Sequence, residues 1–405
     1  MNRSLTRIGL ACGLVVAIAA FAACGSSSNK SNGSTSTTAG SGAVPSVSVS
    51  SFTNDFSEMA KLKDLAAKGK GKVGVLLPDT TTSARYVTFD APYLKKAFET
   101  AGLSSGDFKI DNAQGSASTQ QSQAEADIAQ GASVLLLDQL DSGSAAAIEK
   151  NAESHGVKVI DYDRLTLGGI DGRYYVSFDN VAVGKLIGQG LVDCVTAWKV
   201  ANPQVLLLDG NPTDNNATLF AQGYKSVLKP KFDSGAYKLV AEPGGTWDQP
   251  TAQTLFEQQF TAHPNINAVV AANDNLAQAV ISVLKGKSVP AKKVPTTGQD
   301  ATAGGLQNII AGYQCGSVYK PVYLEAQAAA ALALYLRAGV TPPAALVDSK
   351  TLDSTSKKEV PSVFLTATWV TVDKIESTVI KDQFVKVSDI CTAALKAACT
   401  AAGIG

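Results

Sequence analysis

Charged and amide side chains recur in this sequence directly after short apolar runs. Arg85, with Tyr86 beside it, ends the polar stretch that follows Val73–Leu77, and Arg164 closes the segment Asp161-Tyr162-Asp163-Arg164. Asp214 and Asn216 end the stretch that starts at Asp209. Asn273 opens Asn273-Asp274-Asn275, Asp300 closes Gly298-Gln299-Asp300, and Lys320 ends the last run. Carboxylate, amide and guanidinium groups are planar and exchange paired hydrogen bonds with neighbouring hydroxyls. Trp247 and Tyr86 add aromatic faces that suit the C–H side of a saturated ring. Such a set describes a cleft for a polar, hydroxyl-rich small molecule and does not by itself choose the ligand. Asp138 and Asp141 are read as caps of the helix that follows them. Arg164 and Lys320 cap nothing at a helix N-terminus, so a binding role accounts for them better.

Catalytic readings find less support. Asp214, Asp274 and Asp300 could supply a carboxylate pair, but no spacing singles out an acid and a base. No GxSxG elbow, P-loop or HExxH occurs. Asp209-Gly210-Asn211 has its glycine misplaced for a calcium loop and lacks the bidentate Glu. His155 and His263 are too far apart for a histidine metal site and are read as surface residues near helix ends. No catalytic residue, cofactor or metal ligand is therefore assigned. Lys plus Arg and Asp plus Glu both number 35, so no basic excess exists to hold a nucleic acid.

These polar groups need a frame, and the apolar runs supply it. Val73–Leu77, Phe108–Asp111, Ser133–Leu137 and Val157–Asp161 read as buried strands separated by helical patterns. The cycle repeats with strands at Gln204–Leu208, Tyr237–Ala241, Ala268–Ala271, Lys293–Thr297 and Gly316–Tyr319. Apolar strands alternating with helices imply parallel sheets covered on both faces. Two successive α/β units of similar size imply two similar lobes. Ligands of open α/β sheets lie beyond the carboxyl ends of the strands, so facing lobes place both sets of strand ends around one central cleft.

The first 23 residues read as an export signal: Arg3 and Arg7, an apolar stretch from Ile8 to Ala20, then Phe21-Ala22-Ala23-Cys24. The last four resemble a lipobox, which implies cleavage before Cys24 and lipid on its thiol. Gly25 to about Ser51 is almost entirely Gly, Ser, Thr, Ala and Asn, a tether with a mean reach of roughly 30 Å; the linker is drawn from residue 24 to residue 70. Cys194, Cys315, Cys391 and Cys399 remain in the exported chain, an even number that reads as disulfides.

Read in order, Asp161-Tyr162-Asp163-Arg164, Tyr175–Asn180, Asp214-Asn215-Asn216-Ala217, Val227-Leu228-Lys229-Pro230, Ala271-Ala272-Asn273-Asp274, Gly298-Gln299-Asp300-Ala301 and Val318-Tyr319-Lys320-Pro321 resemble the type I periplasmic binding proteins, and among them the D-xylose-binding proteins of ABC importers. The resemblance spans roughly residues 72–381. It implies two Rossmann-like lobes joined by a three-stranded hinge, with crossings near Val176–Asp179, at Lys320-Pro321 and between Pro361 and Thr368. It divides the chain into a first lobe of residues 71–178 plus 321–362 and a second of residues 179–320 plus 363–405. By the same resemblance, Arg164 and Arg85 hold ring hydroxyls from the first lobe, with Tyr86 where relatives often have Trp. Asp214 and Asn216 bind from the second lobe, Asn273, Asp300 and Lys320 complete the polar shell, and Trp247 stacks. The implied role is a monomeric, lipid-anchored capture protein on the outer face of the cytoplasmic membrane. It would hand a monosaccharide, D-xylose first among candidates, to an ABC permease and its ATPase, or alternatively present the sugar to a membrane receptor. A sugar-responsive repressor shares the fold but would need a helix-turn-helix where this chain has its signal.

Cleft placement also pairs the cysteines. Cys194 lies near the end of a helix that starts at the cleft, and Cys315 lies about 16 Å back from Lys320 along its strand. Both belong to the distal end of one lobe and are expected to pair. Cys391 and Cys399 are then left for each other. In an unbroken helix they would stand about 12 Å apart, so the helix suggested by Thr392–Ala398 must break.

Overall fold

The computed structural model describes residues 44–80 and 82–405. The signal sequence and Cys24 lie outside the described residues. Twelve strands are present among them: β1 (Lys72–Leu77), β2 (Phe108–Asn112), β3 (Ala132–Leu137), β4 (Lys158–Tyr162), β5 (Tyr174–Phe178), β6 (Gln204–Leu208), β7 (Lys238–Ala241), β8 (Ala268–Ala271), β9 (Ser317–Tyr319), β10 (Ser349–Leu352), β11 (Glu359–Leu365) and β12 (Thr368–Val370).

Two sheets carry the two lobes. The first is ordered β10-β11-β5-β4-β3-β1-β2 and is parallel except for β10 at its edge. The second is ordered β7-β6-β8, and backbone bridges Val269–Thr296 and Gln299–Val318 carry it sideways to the antiparallel pair β9–β12. The expected strand Lys293–Thr297 is reduced to the bridge at Thr296, because Pro295 lends its carbonyl to Val269 but has no N–H to give. The strands are Val/Leu-rich and nearly wholly buried, as β1, β3, β6 and β8 show. The chain crosses between the sheets after β5, at Lys320-Pro321, and between β11 and β12. The last crossing falls three residues beyond the expected boundary at 362, because Val363, Phe364 and Leu365 still pair with Val176, Ser177 and Phe178.

Two regions depart from the sequence reading. The linker drawn to residue 70 is not a tether over its described part. Phe52, Phe56, Met59, Leu62 and Leu65 repeat at helical spacing and are buried in the core. Gln327 donates to the Thr53 carbonyl, and Lys96 sits 4.2 Å above the Phe56 ring. Each such side chain contributes about 1.5–3 kcal/mol by leaving water, enough to hold the segment on the first lobe. The helix Val322–Arg337 is the second. Its residues from Val322 through Tyr335 are buried except for the partly buried Leu324, the polar Glu325 and Gln327 among them, and it lies between the first sheet and the helix Ala91–Thr100.

One buried acid holds the ligand-facing turn of the second lobe. Asp274 accepts hydrogen bonds from Gln314 (2.8 Å), Ser317 (2.8 Å) and both the backbone N–H and the hydroxyl of Thr302 (2.8 and 3.1 Å). Its own N–H donates to the Gln299 carbonyl at 3.0 Å. A Cβ at position 305 would stand 2.1 Å from its Oδ2, so Gly305 is what admits it. Burial, with the Asp300 carboxylate nearby, pushes the Asp274 carboxyl up to about 7, against the pull of its donors.

The expected disulfides both form, Cys194–Cys315 with Cα atoms 6.1 Å apart and Cys391–Cys399 at 5.9 Å. The second closes because the helix breaks: Cys391 caps the turn Val387–Ile390, and Cys399 lies in a separate helix, Lys396–Ala401.

Two outcomes are expected. The Asp274 proton is kept by the folded chain and lost by the unfolded one between the ordinary carboxylate range and about pH 7. Its contribution is thus complete at low pH and is lost as pH rises through 7. Denaturant unfolding at pH 5 and pH 8 should show a drop in stability that is shallower in Asp274→Asn; an identical pH slope in the variant would refute the assignment. Replacing Cys194 and Cys315 by Ser frees a loop of 121 residues, and replacing Cys391 and Cys399 frees one of 8. Chain entropy assigns about 5 and about 2.5 kcal/mol to these loops, so calorimetry should find the first pair the more destabilising.

Candidate functional site

All nine residues assigned to binding line a single cavity between the lobes. Arg85 and Tyr86 come from the segment after β1, where a π-helical turn, Tyr86–Asp90, opens the helix Ala91–Thr100. Arg164 follows β4. Asp214 and Asn216 begin the helix Asn215–Asp233, and Asn273 caps Asp274–Gly286 by accepting from the Leu276 N–H. Asp300 and Lys320 end the polar turns beside β9. Each of the nine is less than a tenth exposed.

Arg164 faces Asp214 across the cleft at 3.1 Å, and the Trp247 indole N–H donates to the same Asp214 oxygen at 3.0 Å. Burial raises the Asp214 carboxyl, while Arg164 beside it opposes that shift. Arg164 also donates to the Tyr86 hydroxyl (3.0 Å) and to the Gln139 carbonyl (3.1 Å). Trp247 packs against Gly210, where a Cβ would stand 2.1 Å from its Cζ2, so glycine is required for the indole to form this wall. Lys320 pairs with Asp300 at 3.3 Å and lies between the rings of Phe178 and Phe220, 5.6 and 5.8 Å away. Asn216 donates to the Asp163 carbonyl and accepts from Asn180.

The same cavity holds residues the sequence reading did not assign: Ser83, Asp163, Phe220 and Gln299. Asp163 is the most important of them. Its carboxylate accepts from Arg85 (2.8 Å) and Tyr86 (3.2 Å) and lies 3.9 Å from Lys320. Burial alone would raise this carboxyl, but Arg85, Lys320 and Arg164 outweigh it and hold it below the usual carboxylate range. Asp163 and Asp300 adopt left-handed backbone, φ 59° and 90°, which side chains other than glycine reach only at a cost of about 1–3 kcal/mol. The backbone reversal turns both carboxylates onto Lys320 from opposite sides of the cleft.

Arg85 departs from its expected role in part. It lines the cavity, yet its donors are spent on Asp90, Asp163 and Glu325. It therefore fixes Asp163 more than it offers itself to a ligand. Asp138 is a correction as well. It caps no helix; it is buried 3.6 Å from the Arg164 Nε with both oxygens lacking a hydrogen-bond partner. Asp141 caps no helix either: it accepts from the Gly143 and Ser144 N–H groups at 3.1 and 2.6 Å, in the turn before the helix Ala146–Ser154, whose N-cap Ala145 has no side-chain bond.

The cavity is about 20 Å³, room for one water. The lobes touch across it through Ser142 and Thr213, Asn215 and Ser142, and Asn275 and Thr82. The Oε1 of Gln299 has no hydrogen-bond donor among the described residues, and the Oδ1 of Asp300 meets the Lys320 ammonium at 3.3 Å without a formed hydrogen bond. Unmet acceptors beside ion-paired cations form a surface able to take several hydroxyl groups at once.

The family model of the periplasmic binding protein domain matches residues 47–340. The D-xylose-binding periplasmic protein of Escherichia coli K12 is 38% identical over 283 residues, which cover 69% of this chain and 82% of that protein. The multiple sugar-binding periplasmic receptor ChvE of Rhizobium radiobacter is 35% identical over 328 residues, covering 76% and 88%. A carbohydrate transporter solute-binding protein from Chloroflexus aurantiacus, solved in complex with D-glucose, superposes with a TM-score of 0.70 at 31% identity, over 78% of this chain and 97% of that one. These relatives are binding proteins rather than enzymes, and with the fold, the cleft and the family model in agreement, this chain belongs to the periplasmic binding proteins.

Proposed function

We propose that this chain captures a pyranose monosaccharide outside the cytoplasmic membrane and delivers it to an ABC importer, with D-xylose the first candidate. The observation that carries this reading is the convergence of Arg164, Asp214, Asn216, Asn273, Asp300, Lys320 and Trp247, drawn from strand ends of both lobes, on one cavity. The similar proteins whose names specify D-xylose, multiple sugars and D-glucose support a sugar and leave the choice among pyranoses to the site.

Binding works by exchange. Arg164 with Asp214 and Lys320 with Asp163 bond across the cleft, and these are groups that ring hydroxyls satisfy in turn. A sugar placed between Trp247 and the Tyr86–Arg164 wall bridges both lobes. It stabilises the closed form by the contacts it makes only there. The planar, buried guanidinium and carboxylate discriminate through paired hydrogen bonds, because an analogue lacking the hydroxyl leaves a desolvated charge unmet.

The reading is tested with a panel of pentoses and hexoses, following tryptophan emission and calorimetric heat. Arg164→Ala and Asp214→Ala should each weaken the best ligand at least thirtyfold, since losing a partner of a buried charge costs about 2–5 kcal/mol. The emission change should vanish in Trp247→Phe while binding heat persists. Affinity within threefold of wild type in either charge variant would exclude the assignment.

The proposed anchor rests on Phe21-Ala22-Ala23-Cys24 and the Gly/Ser tract after it. Growth with an alkyne fatty acid should label the protein, and Cys24→Ser should abolish both the label and its sedimentation with membranes. Equal labelling of the variant would rule the anchor out.

A further inference from the structure

The chain continues past the family match, which ends at residue 340, into a segment that touches both lobes. This segment is fixed to the second lobe. Strand β12 pairs with β9, the turn Val387–Ile390 packs on the helix Ala303–Ile310, and the Gln307 amide donates to the Asp389 carbonyl at 2.7 Å. Ile375, Val379 and Ile390 are fully buried, and the Cys391–Cys399 bridge ties off the end. Between these anchors the segment reaches the first lobe. The Phe384 ring stacks on Phe89 with centroids 3.9 Å apart and lies 6.4 Å from Tyr93. It also meets Tyr319 edge-on at 5.0 Å, next to the Lys320-Pro321 crossing. Two residues earlier, the Asp382 carboxylate accepts from the hydroxyls of Tyr319 (2.9 Å) and Tyr323 (3.1 Å), and its carbonyl accepts from Asn54.

Phe89 belongs to the π-helical turn Tyr86–Asp90. That turn also carries Tyr86, which lines the cavity, and Asp90, which holds Arg85 through two bonds. A π-turn is a costly local geometry that needs tertiary support. Phe384 supplies support from the other lobe. We propose that Asp382–Val385 is a clamp by which the second lobe positions the turn Arg85–Asp90, with Phe384 as the positioning residue that sets how long the closed form retains its ligand. Beside the clamp, a groove of about 440 Å³ between the lobes is lined by Ala84 and Thr88 on one side, Asn275 and Gln278 on another, and Phe384 and Lys386 along its floor. The lobes are therefore not packed together throughout this edge, and the aromatic contact is a discrete bridge across it.

The clamp rests on the sugar-binding reading only for its kinetic consequence, so the test has an arm that needs no ligand. Hydrogen exchange of the full chain should be faster over residues 85–90 in Phe384→Ala than in wild type, and unchanged over Val73–Leu77. In stopped-flow with D-xylose, or with the tightest sugar of the panel, the dissociation rate should rise about tenfold while the association rate stays within twofold. Phe384→Leu, which keeps the apolar volume, should recover most of both effects and guards against a folding defect in the alanine variant. Unaltered exchange over residues 85–90, or an unaltered dissociation rate, would overturn the clamp. Absence of any sugar binding in wild type would count against the proposed function and leave the exchange result to decide the clamp.

Discussion

The Asp163 carboxylate is the anion on which the site is built. It takes Arg85 and Tyr86 from its own lobe, faces Lys320 from the hinge, and offers its carbonyl to Tyr175, Ser177 and Asn216. A buried carboxylate alone would be prohibitive, and so would three buried cations. Placed together in a fixed geometry they are mutually satisfied, which explains why the backbone accepts a left-handed residue at this position. Removing this anion would strip Arg85 and Lys320 of a partner at once. It would leave Asn216 in place, since that side chain donates to the Asp163 backbone carbonyl and not to the carboxylate.

Around this centre the acids outnumber the bases. Arg85, Arg164 and Lys320 face Asp90, Asp138, Asp163, Asp214, Asp300 and Glu325. So many buried anions are tolerable only if some hold protons. Burial, opposed by Arg85, pushes Glu325 up to about 8, and burial with Asp163 nearby raises Asp138 well above its ordinary range. Both stand behind the arginines rather than at the cavity surface. The acids with raised carboxyls thus form an outer layer, and the ion pairs Arg164–Asp214 and Lys320–Asp300 face the cavity. A neutral, polyhydroxylated ligand suits that inner layer, since it can both donate to the carboxylates and accept from the cations without bringing charge of its own.

Much of this was legible in the sequence because the sheets are parallel. Continuous apolar runs announce their strands, and the polar residue that follows each run must sit at the cleft, as Arg164, Asn273 and Lys320 do. Asp163 escaped because it was read as part of the segment ending in Arg164, and its role depends on a backbone reversal that no spacing reveals. Phe220 and Gln299 escaped because an apolar residue on a helix and an amide in a turn have ordinary structural uses. Asp138 was misread for the same reason, since an acid after a strand commonly caps the next helix. The linker reading extends over residues 44–70, although Phe52, Phe56, Met59, Leu62 and Leu65 carry a helical stripe. The strands β10, β11 and β12 lie in the stretch where short runs no longer alternate with helices, so periodicity had little to register.

Two lobes that share three crossings can open only if their contacts are few and exchangeable. The cleft bonds are of that kind: an ion pair such as Arg164–Asp214 can trade its partner for a hydroxyl with little net change in hydrogen bonding. The contacts at the hinge are not exchangeable. Phe384 against Phe89, at the groove between the lobes, and Asp382 beneath Tyr319 and Tyr323 lie outside the polar cavity, and no hydroxyl-bearing ligand can replace them. The disulfides respect the same division, with Cys194–Cys315 and Cys391–Cys399 each joining elements of the second lobe. Polar, reversible contacts thus lie where a ligand must enter, and apolar or covalent ones lie where the frame must hold. That separation lets a buried, charged site be opened without unfolding the lobes that carry it.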